Sequence, residues 1–182
     1  KSHILLISME IPLDLFWLLR NFRKKFNVTT ILDPGPYQKG SVSFLPKVEI
    51  ISPNETEAEA LTGEKVTNLN SAKRASQKLL KMGTKSVVMK LGKRGALLVN
   101  KEGEEYFPGI KVPVVDTTAA GDAFTGAFAY RYLKEEDLRE SIKYANYVGA
   151  LTVTKFGAQP SIPEKSEVEK FIRKTERKYK DE

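Results

Sequence analysis

The 182-residue sequence contains no cysteine, one histidine and one tryptophan. Without thiols there is neither a disulfide framework nor a cysteine-ligated zinc site. The single histidine, His3, sits at the start of the chain. Long apolar runs are lacking as well. Ile4–Ile7 is far too short to cross a bilayer and charges interrupt every longer run, so no secretory or membrane-spanning stretch is evident. Internal repeats, low-complexity tracts and a dividing linker are also missing, which predicts one domain over residues 1–182 with a substantial core, in a soluble, cytoplasmic protein.

Basic residues are in excess: 30 Lys and Arg stand against 23 Asp and Glu, for a formal net charge of +7. They are scattered along stretches such as Lys73–Lys81 and Glu164–Lys180, both read as solvated helix faces, the second with alternating signs. No clustered patch interleaved with aromatics appears, so neither nucleic acid nor membrane is expected as a partner.

Apolar strand-like runs alternate with amphipathic helical stretches. Strands are expected at Ile4–Ile7, Val28–Leu32, Val48–Ile51 and Ser86–Leu91, and two neighbouring, antiparallel ones at Gly95–Val99 and Glu104–Phe107. Helices are expected at Leu13–Phe26, Ser71–Met82, Ala120–Leu133 and Leu138–Thr154, with a charged terminal helix after Pro163. Strands alternating with helices predict an α/β fold of three layers, α/β/α, around a mostly parallel sheet.

Asp116-Thr-Thr-Ala-Ala-Gly-Asp122 joins a carboxylate to a turn of tiny residues that opens into a helix. Amides at a helix start have no intrahelical acceptor and the macrodipole adds positive potential, so Ala119, Ala120 and Gly121 can approach a phosphate closely. Asp122 beside such an anion makes sense chiefly as a base for a hydroxyl attacking phosphorus; alternatively it is an N-terminal helix charge on a tight connection. Ser52–Gly63 places Asn54 at a helix start with Glu57 three residues on, the pattern of a capping box. Glu55 and Glu59 read as solvated helix charges. Val87–Val99 reads as strand, basic turn and strand, with Lys90, Leu91, Gly92, Lys93, Arg94 and Gly95 at the turn. Val153–Pro163 carries two prolines that end the preceding helix. Glu10 closes the first strand, at the end where open parallel sheets bind ligands, although strand-end carboxylates are often merely exposed.

Together and in this order, these segments resemble the ribokinase (PfkB) family of sugar kinases along essentially the whole chain. The resemblance implies a ribokinase-like fold and ATP-dependent phosphorylation of the primary hydroxyl of D-ribose, forming ribose 5-phosphate. A diffuse positive field would also attract ATP modestly. By resemblance Asp122 is the catalytic base, Ala119–Gly121 form the anion hole, and Glu10 with Asp122 contacts the sugar. Asn54 contacts the nucleotide phosphates, Glu57 orients water on magnesium, residues 90–95, Gly121 and Asp122 lie at the ATP site, and Asn146 meets adenine. Lys90 replaces a neutral hydroxyl residue common in the family. The Asp116 carboxylate, the Thr118 carbonyl, oxygens at Thr152, Lys155 and Gly157, and Ser161 form a monovalent-cation site, for K+.

The family also carries an earlier segment with sheet strands, a glycine-rich sugar-binding motif and a β lid, which this sequence lacks. The expectation is a C-terminal nucleotide-binding and catalytic portion, inactive if the earlier segment is indispensable. Sheet surface uncovered by that lack favours a homo-oligomer. Two other readings stay open: another sugar or nucleoside kinase of the family, and a non-catalytic nucleotide-binding or assembly fragment.

Overall fold

The computed structural model describes residues 3–12, 15, 25–38, 40, 43, 45 and 48–180, with side chains as far as 177. The expected helix over Leu13–Phe26 lies almost wholly outside the described residues. The chain divides into two compact units, residues 1–107 and 108–182.

The first unit is built on a six-stranded sheet whose strands lie side by side in chain order: β1 (Ile4–Ser8), β2 (Thr29–Asp33), β3 (Ile50–Ile51), β4 (Ser86–Lys90), β5 (Gly95–Asn100) and β6 (Gly103–Pro108). Strands β1 to β4 pair in parallel, in a register that sets Ile4 against Thr29 and Ile50 against Ser86, and β4 pairs antiparallel with β5. The mostly parallel sheet is therefore present, and the antiparallel turn falls where glycines flank the basic loop. β3 is shorter than Val48–Ile51 because Glu49 bonds to β2 in another way. Its N–H donates to Thr30 Oγ1 at 3.1 Å while its carboxylate accepts the Thr30 N–H at 3.0 Å.

Among the described residues this unit contains the helices α1 (Glu55–Thr62) and α2 (Leu69–Lys81). Each starts at an asparagine, Asn54 or Asn68, whose side chain accepts the N3 amide while the N3 side chain accepts the cap amide. Apolar positions of α1 and α2 (Ala58, Leu61, Ala72, Ala75, Leu79) pack with Leu32, Ile51, Val87, Met89 and Leu97 of the sheet in one core. Full burial of each large side chain among them stabilises the fold by about 1.5–3 kcal/mol.

The second unit contains α3 (Ala120–Glu135), α4 (Leu138–Thr152) and α5 (Lys165–Lys180). Asp137 caps α4 through the amides of Arg139 and Glu140. Ala123, Val148 and Val168, one from each helix, form a shared core flanked by Tyr144, Tyr147, Leu151 and Ile172. Among the described residues no helix is long and apolar enough to cross a membrane.

Candidate active site

In residues 1–107 the candidate residues collect just beyond the carboxyl ends of parallel strands. Glu10 lies two residues past β1 and is exposed. Asp33 ends β2, Asn54 follows β3, and Lys90 ends β4. Asn54 and Glu57 hold each other: the Glu57 N–H donates to Asn54 Oδ1 at 2.9 Å, and the Asn54 N–H and Nδ2 donate to the two carboxylate oxygens at 2.8 Å each. The cap thus also fixes the direction of the Glu57 carboxylate.

Gly35 lies directly against that carboxylate. A Cβ at position 35 would fall 2.6 Å from Glu57 Oε1, so any other residue there displaces Glu57. The Gly35 loop is in turn tied to Asp33, whose Oδ1 accepts the Gly35 N–H at 3.4 Å. Asp33 Oδ2 accepts from Lys90 Nζ at 2.7 Å, with the two side chains only 14% and 10% exposed. Lys90, placed at the ATP site by resemblance, therefore has its charge met by Asp33. Neither Asp33 nor Gly35 is singled out in the sequence. The available signal is Lys90 itself, because a lysine ending a buried apolar strand requires an anion.

Beyond Lys90 the chain turns through Gly92 at φ 54° and Gly95 at φ 102°, backbone that favours glycine. Leu91 is buried, and Gly92 and Lys93 are exposed. Arg94 forms an ion pair with Glu55 and donates to the Thr67 carbonyl at 3.2 Å. Glu55 is thus not a solvated helix charge; it ties the basic turn to the start of α1. Glu59 is exposed, as its reading has it.

In residues 108–182, Ala119 has φ 59° and precedes α3 without a side-chain cap hydrogen bond. The turn is closed by the Ala120 N–H to the Thr117 carbonyl at 3.3 Å. Gly121 is half-buried and Asp122, in the first turn, is exposed. The helix start thus carries an exposed carboxylate within its first turn.

Asp116 organises the segment before it. Its Oδ1 accepts the Thr118 N–H at 2.9 Å and hydroxyl at 2.7 Å, and its Oδ2 accepts the Gly157 N–H at 2.9 Å. These donors, the Thr118 amide first, hold its carboxyl below the ordinary value of 3.8. The structure thus brings Asp116, Thr118 and Gly157 together. The buried Thr152 and Ser161 hydroxyls donate to the carbonyls of Val148 and Ala158, and the Lys155 N–H donates to the Thr152 carbonyl at 3.2 Å. Lys155 Nζ pairs with Glu167 at 2.8 Å, leaving only its backbone for a cation. Asn146 is half-buried on α4, one turn before Gly149. The α-carbon of Gly149 faces α3: a Cβ there would meet the Ala120 carbonyl and Phe124 Cβ at 3.8 Å. Among the described residues no group of three or more His, Cys, Asp or Glu converges as a metal site. A magnesium ion held by nucleotide phosphates and met through water by one carboxylate needs no such group.

The family described as pfkB carbohydrate kinase matches residues 2–165. A ribokinase of Staphylococcus aureus (strain COL) is 40% identical over 169 residues, covering 92% of this chain and 56% of that protein. The crystal structure of a ribokinase from Thermotoga maritima superposes with a TM-score of 0.84 at 41% identity, covering 94% of this chain and 57% of that one. Arabidopsis thaliana ribokinase complexed with ribose and ATP gives 0.87 at 34% identity, covering 93% and 55%. The chain spans about half the length of the curated relatives it matches.

Lys90→Met removes the cation facing the little-exposed Asp33 carboxylate and is expected to cost about 3–5 kcal/mol in urea denaturation; adding Asp33→Asn in the same chain restores most of it. A single variant as stable as the parent would show the pair to be idle. Asp116 contributes through a depressed carboxyl, so its contribution is complete above the unfolded value and lost as pH falls through the folded one. The melting difference between the parent and Asp116→Asn should be constant from about pH 7 to 5 and shrink below about pH 4. A difference unchanged at low pH contradicts the assignment.

Proposed function

The chain belongs to the pfkB family of carbohydrate kinases, and from that premise we propose that it carries the nucleotide-binding and catalytic part of an ATP-dependent sugar kinase whose acceptor is D-ribose and whose product is ribose 5-phosphate. The observation that carries this reading is the start of α3: a left-handed Ala119, first-turn amides without a side-chain acceptor, and an exposed Asp122. Ribose rather than another sugar follows from the likeness to ribokinases, one of them complexed with ribose and ATP.

The chemistry asked of these residues is positioning and charge stabilisation. Asp122 accepts the proton of the primary hydroxyl as its oxygen bonds to the γ-phosphorus and the bond to the departing ADP oxygen breaks. The amides of Ala119, Ala120 and Gly121 face the phosphoryl oxygens, where backbone donors are most useful as charge spreads over them. Asn54 binds phosphate oxygen, Glu57 orients water, Glu10 receives a sugar hydroxyl, and residues 90–95 with Asn146 bound the nucleotide. Magnesium, when bound with ATP, neutralises phosphate charge. The Asp116 carboxylate, its pKa lowered by the donors around it, and oxygens at Thr118, Thr152, Lys155 and Gly157, with Ser161, would suit a hard monovalent cation such as K+. Such a site would hold the Thr117–Gly121 turn in its anion-binding shape.

Mg-ATP titration by calorimetry and ribose-dependent ADP release test the reading, on this chain and on a form extended to the length of its relatives. Asp122→Asn is expected to keep nucleotide affinity and to lower turnover roughly 10²- to 10⁴-fold; near-normal turnover rejects the base. Parallel assays with fructose, 2-keto-3-deoxygluconate and nucleosides identify another acceptor if ribose fails.

A second reading, a non-catalytic assembly module, rests on β1. It ends the strand order, and its Leu6 is 43% exposed. An open edge carrying apolar side chains is a template for pairing with a second copy. Light scattering should then give a dimer or larger, which Leu6→Lys returns to monomer; a monomeric parent chain discards this reading.

A further inference from the structure

A cavity of about 480 Å³ opens among α3, α4 and α5 of residues 108–182. Tyr130 is its first contributor from α3, eight residues beyond Asp122, which is about 12 Å along the helix axis. The cavity therefore lies apart from the proposed anion hole, and a ligand bound in it is independent of the catalytic reading.

The lining is strongly cationic. Arg131 and Lys134 come from α3 and Lys165 and Arg173 from α5, against the single carboxylate of Glu169. Glu169 already lies 3.7 Å from Lys165, and Arg131 pairs with Glu135 at 2.7 Å. Among the described residues Lys134 and Arg173 have no carboxylate partner. Two like charges left beside one concavity repel each other, and a bound anion relieves that repulsion.

Arg131 adds a second, independent sign. Its guanidinium carbon sits 5.6 Å from the ring centroid of Tyr144 on α4, which holds the plane in place. Its Nε is buried and, among the described residues, has no hydrogen-bond partner. A buried donor left unsatisfied carries a desolvation penalty that a ligand acceptor removes. Tyr144 contributes a hydroxyl whose ionisation is displaced upward, first by desolvation and then by Tyr130. Both tyrosines line the same cavity.

We propose that this cavity binds a small phosphomonoester at a site separate from the nucleotide site. A phosphoryl group brings nearly two negative charges and three acceptor oxygens, which suits a planar arginine fork flanked by flexible ammonium groups. The volume exceeds what inorganic phosphate fills and falls within the usual range for small-molecule sites. Two tyrosines offer rings and hydroxyls to a hydroxylated body. The cations converge from separate helices on one concavity instead of forming a track, which disfavours a nucleic-acid strand.

The test is calorimetric titration of the chain with ribose 5-phosphate, ribose and inorganic phosphate, in the parent, Arg131→Gln, the double variant Lys134→Gln/Arg173→Gln, and Gly121→Asp. Ribose 5-phosphate should bind at least about tenfold more tightly than ribose or inorganic phosphate. Both cavity variants should weaken it about tenfold or more, and Gly121→Asp should leave it unchanged. Lys134 and Arg173 are exposed, so the double variant tests the site even if Arg131→Gln unfolds, as melting curves will show. Unchanged affinity in the double variant, loss in Gly121→Asp alone, or displacement of ribose 5-phosphate by a short single-stranded RNA overturns the proposal. Mg-ATP titrated in parallel reads the other site: its failure counts against the kinase reading and leaves the cavity result standing.

Discussion

The start of α3 depends on Asp116. Ala119 occupies a left-handed conformation that costs a non-glycine residue about 1–2 kcal/mol, and such strain persists only where the surroundings over-determine it. Here they do. One Asp116 oxygen gathers the amide and hydroxyl of Thr118, and the other takes the amide of Gly157, forty-one residues away, at a φ of 92°. A carboxylate satisfied by three donors is held in place, and the same donors lower its pKa. The result is a helix entrance whose amides no side chain covers. A serine or aspartate at position 119 would cap the helix better and close the entrance.

The sheet unit solves a different problem, since it places ionisable groups where strands end and water is scarce. Lys90 and Asp33 neutralise each other there with little exposure, and a buried pair of that kind confers less stability than its short distance suggests, because both ions lost their hydration. Its geometric effect is larger. Asp33 anchors the Gly35 loop, and Gly35 packs against the Glu57 carboxylate that Asn54 holds from the other side. Glu57 is therefore located by contacts that begin two strands away, and the arrangement tolerates no side chain at Gly35.

Elements with a strong local signal were legible in the sequence. The asparagine cap with its N3 glutamate, the apolar run before Lys90 and the small-residue helix entrance fall where periodicity and capping put them. The ends of β3 were not, because a side chain, Glu49, replaces ladder bonds to Thr30, and no pattern of hydropathy encodes that exchange. Asp33 and Gly35 were not either. Their roles arise from contacts fifty-seven and twenty-two residues apart in sequence, with Lys90 and Glu57. Arg94 illustrates the limit in a third way: the turn was evident, yet its pairing with Glu55 required the fold.

Charge follows the same rule. The surplus of lysine and arginine looks dispersed when read along the chain, since the basic residues are spread over its length and α5 mixes both signs. Helix packing does not respect that order. Val148 and Val168 bring α4 and α5 against Ala123 of α3, so the faces these contacts leave outward are fixed by apolar spacing alone. The polar residues beside the core then meet whatever the neighbouring helix offers. Along α3 and α5 that meeting sets Arg131 and Lys134 near Lys165 and Arg173, with the carboxylates of Glu169 and Glu135 beside them. A cluster opposed by electrostatics survives in a folded helix bundle only because hydrophobic contacts outweigh the repulsion, and this is how a cationic cavity arises from a sequence whose charges look dispersed.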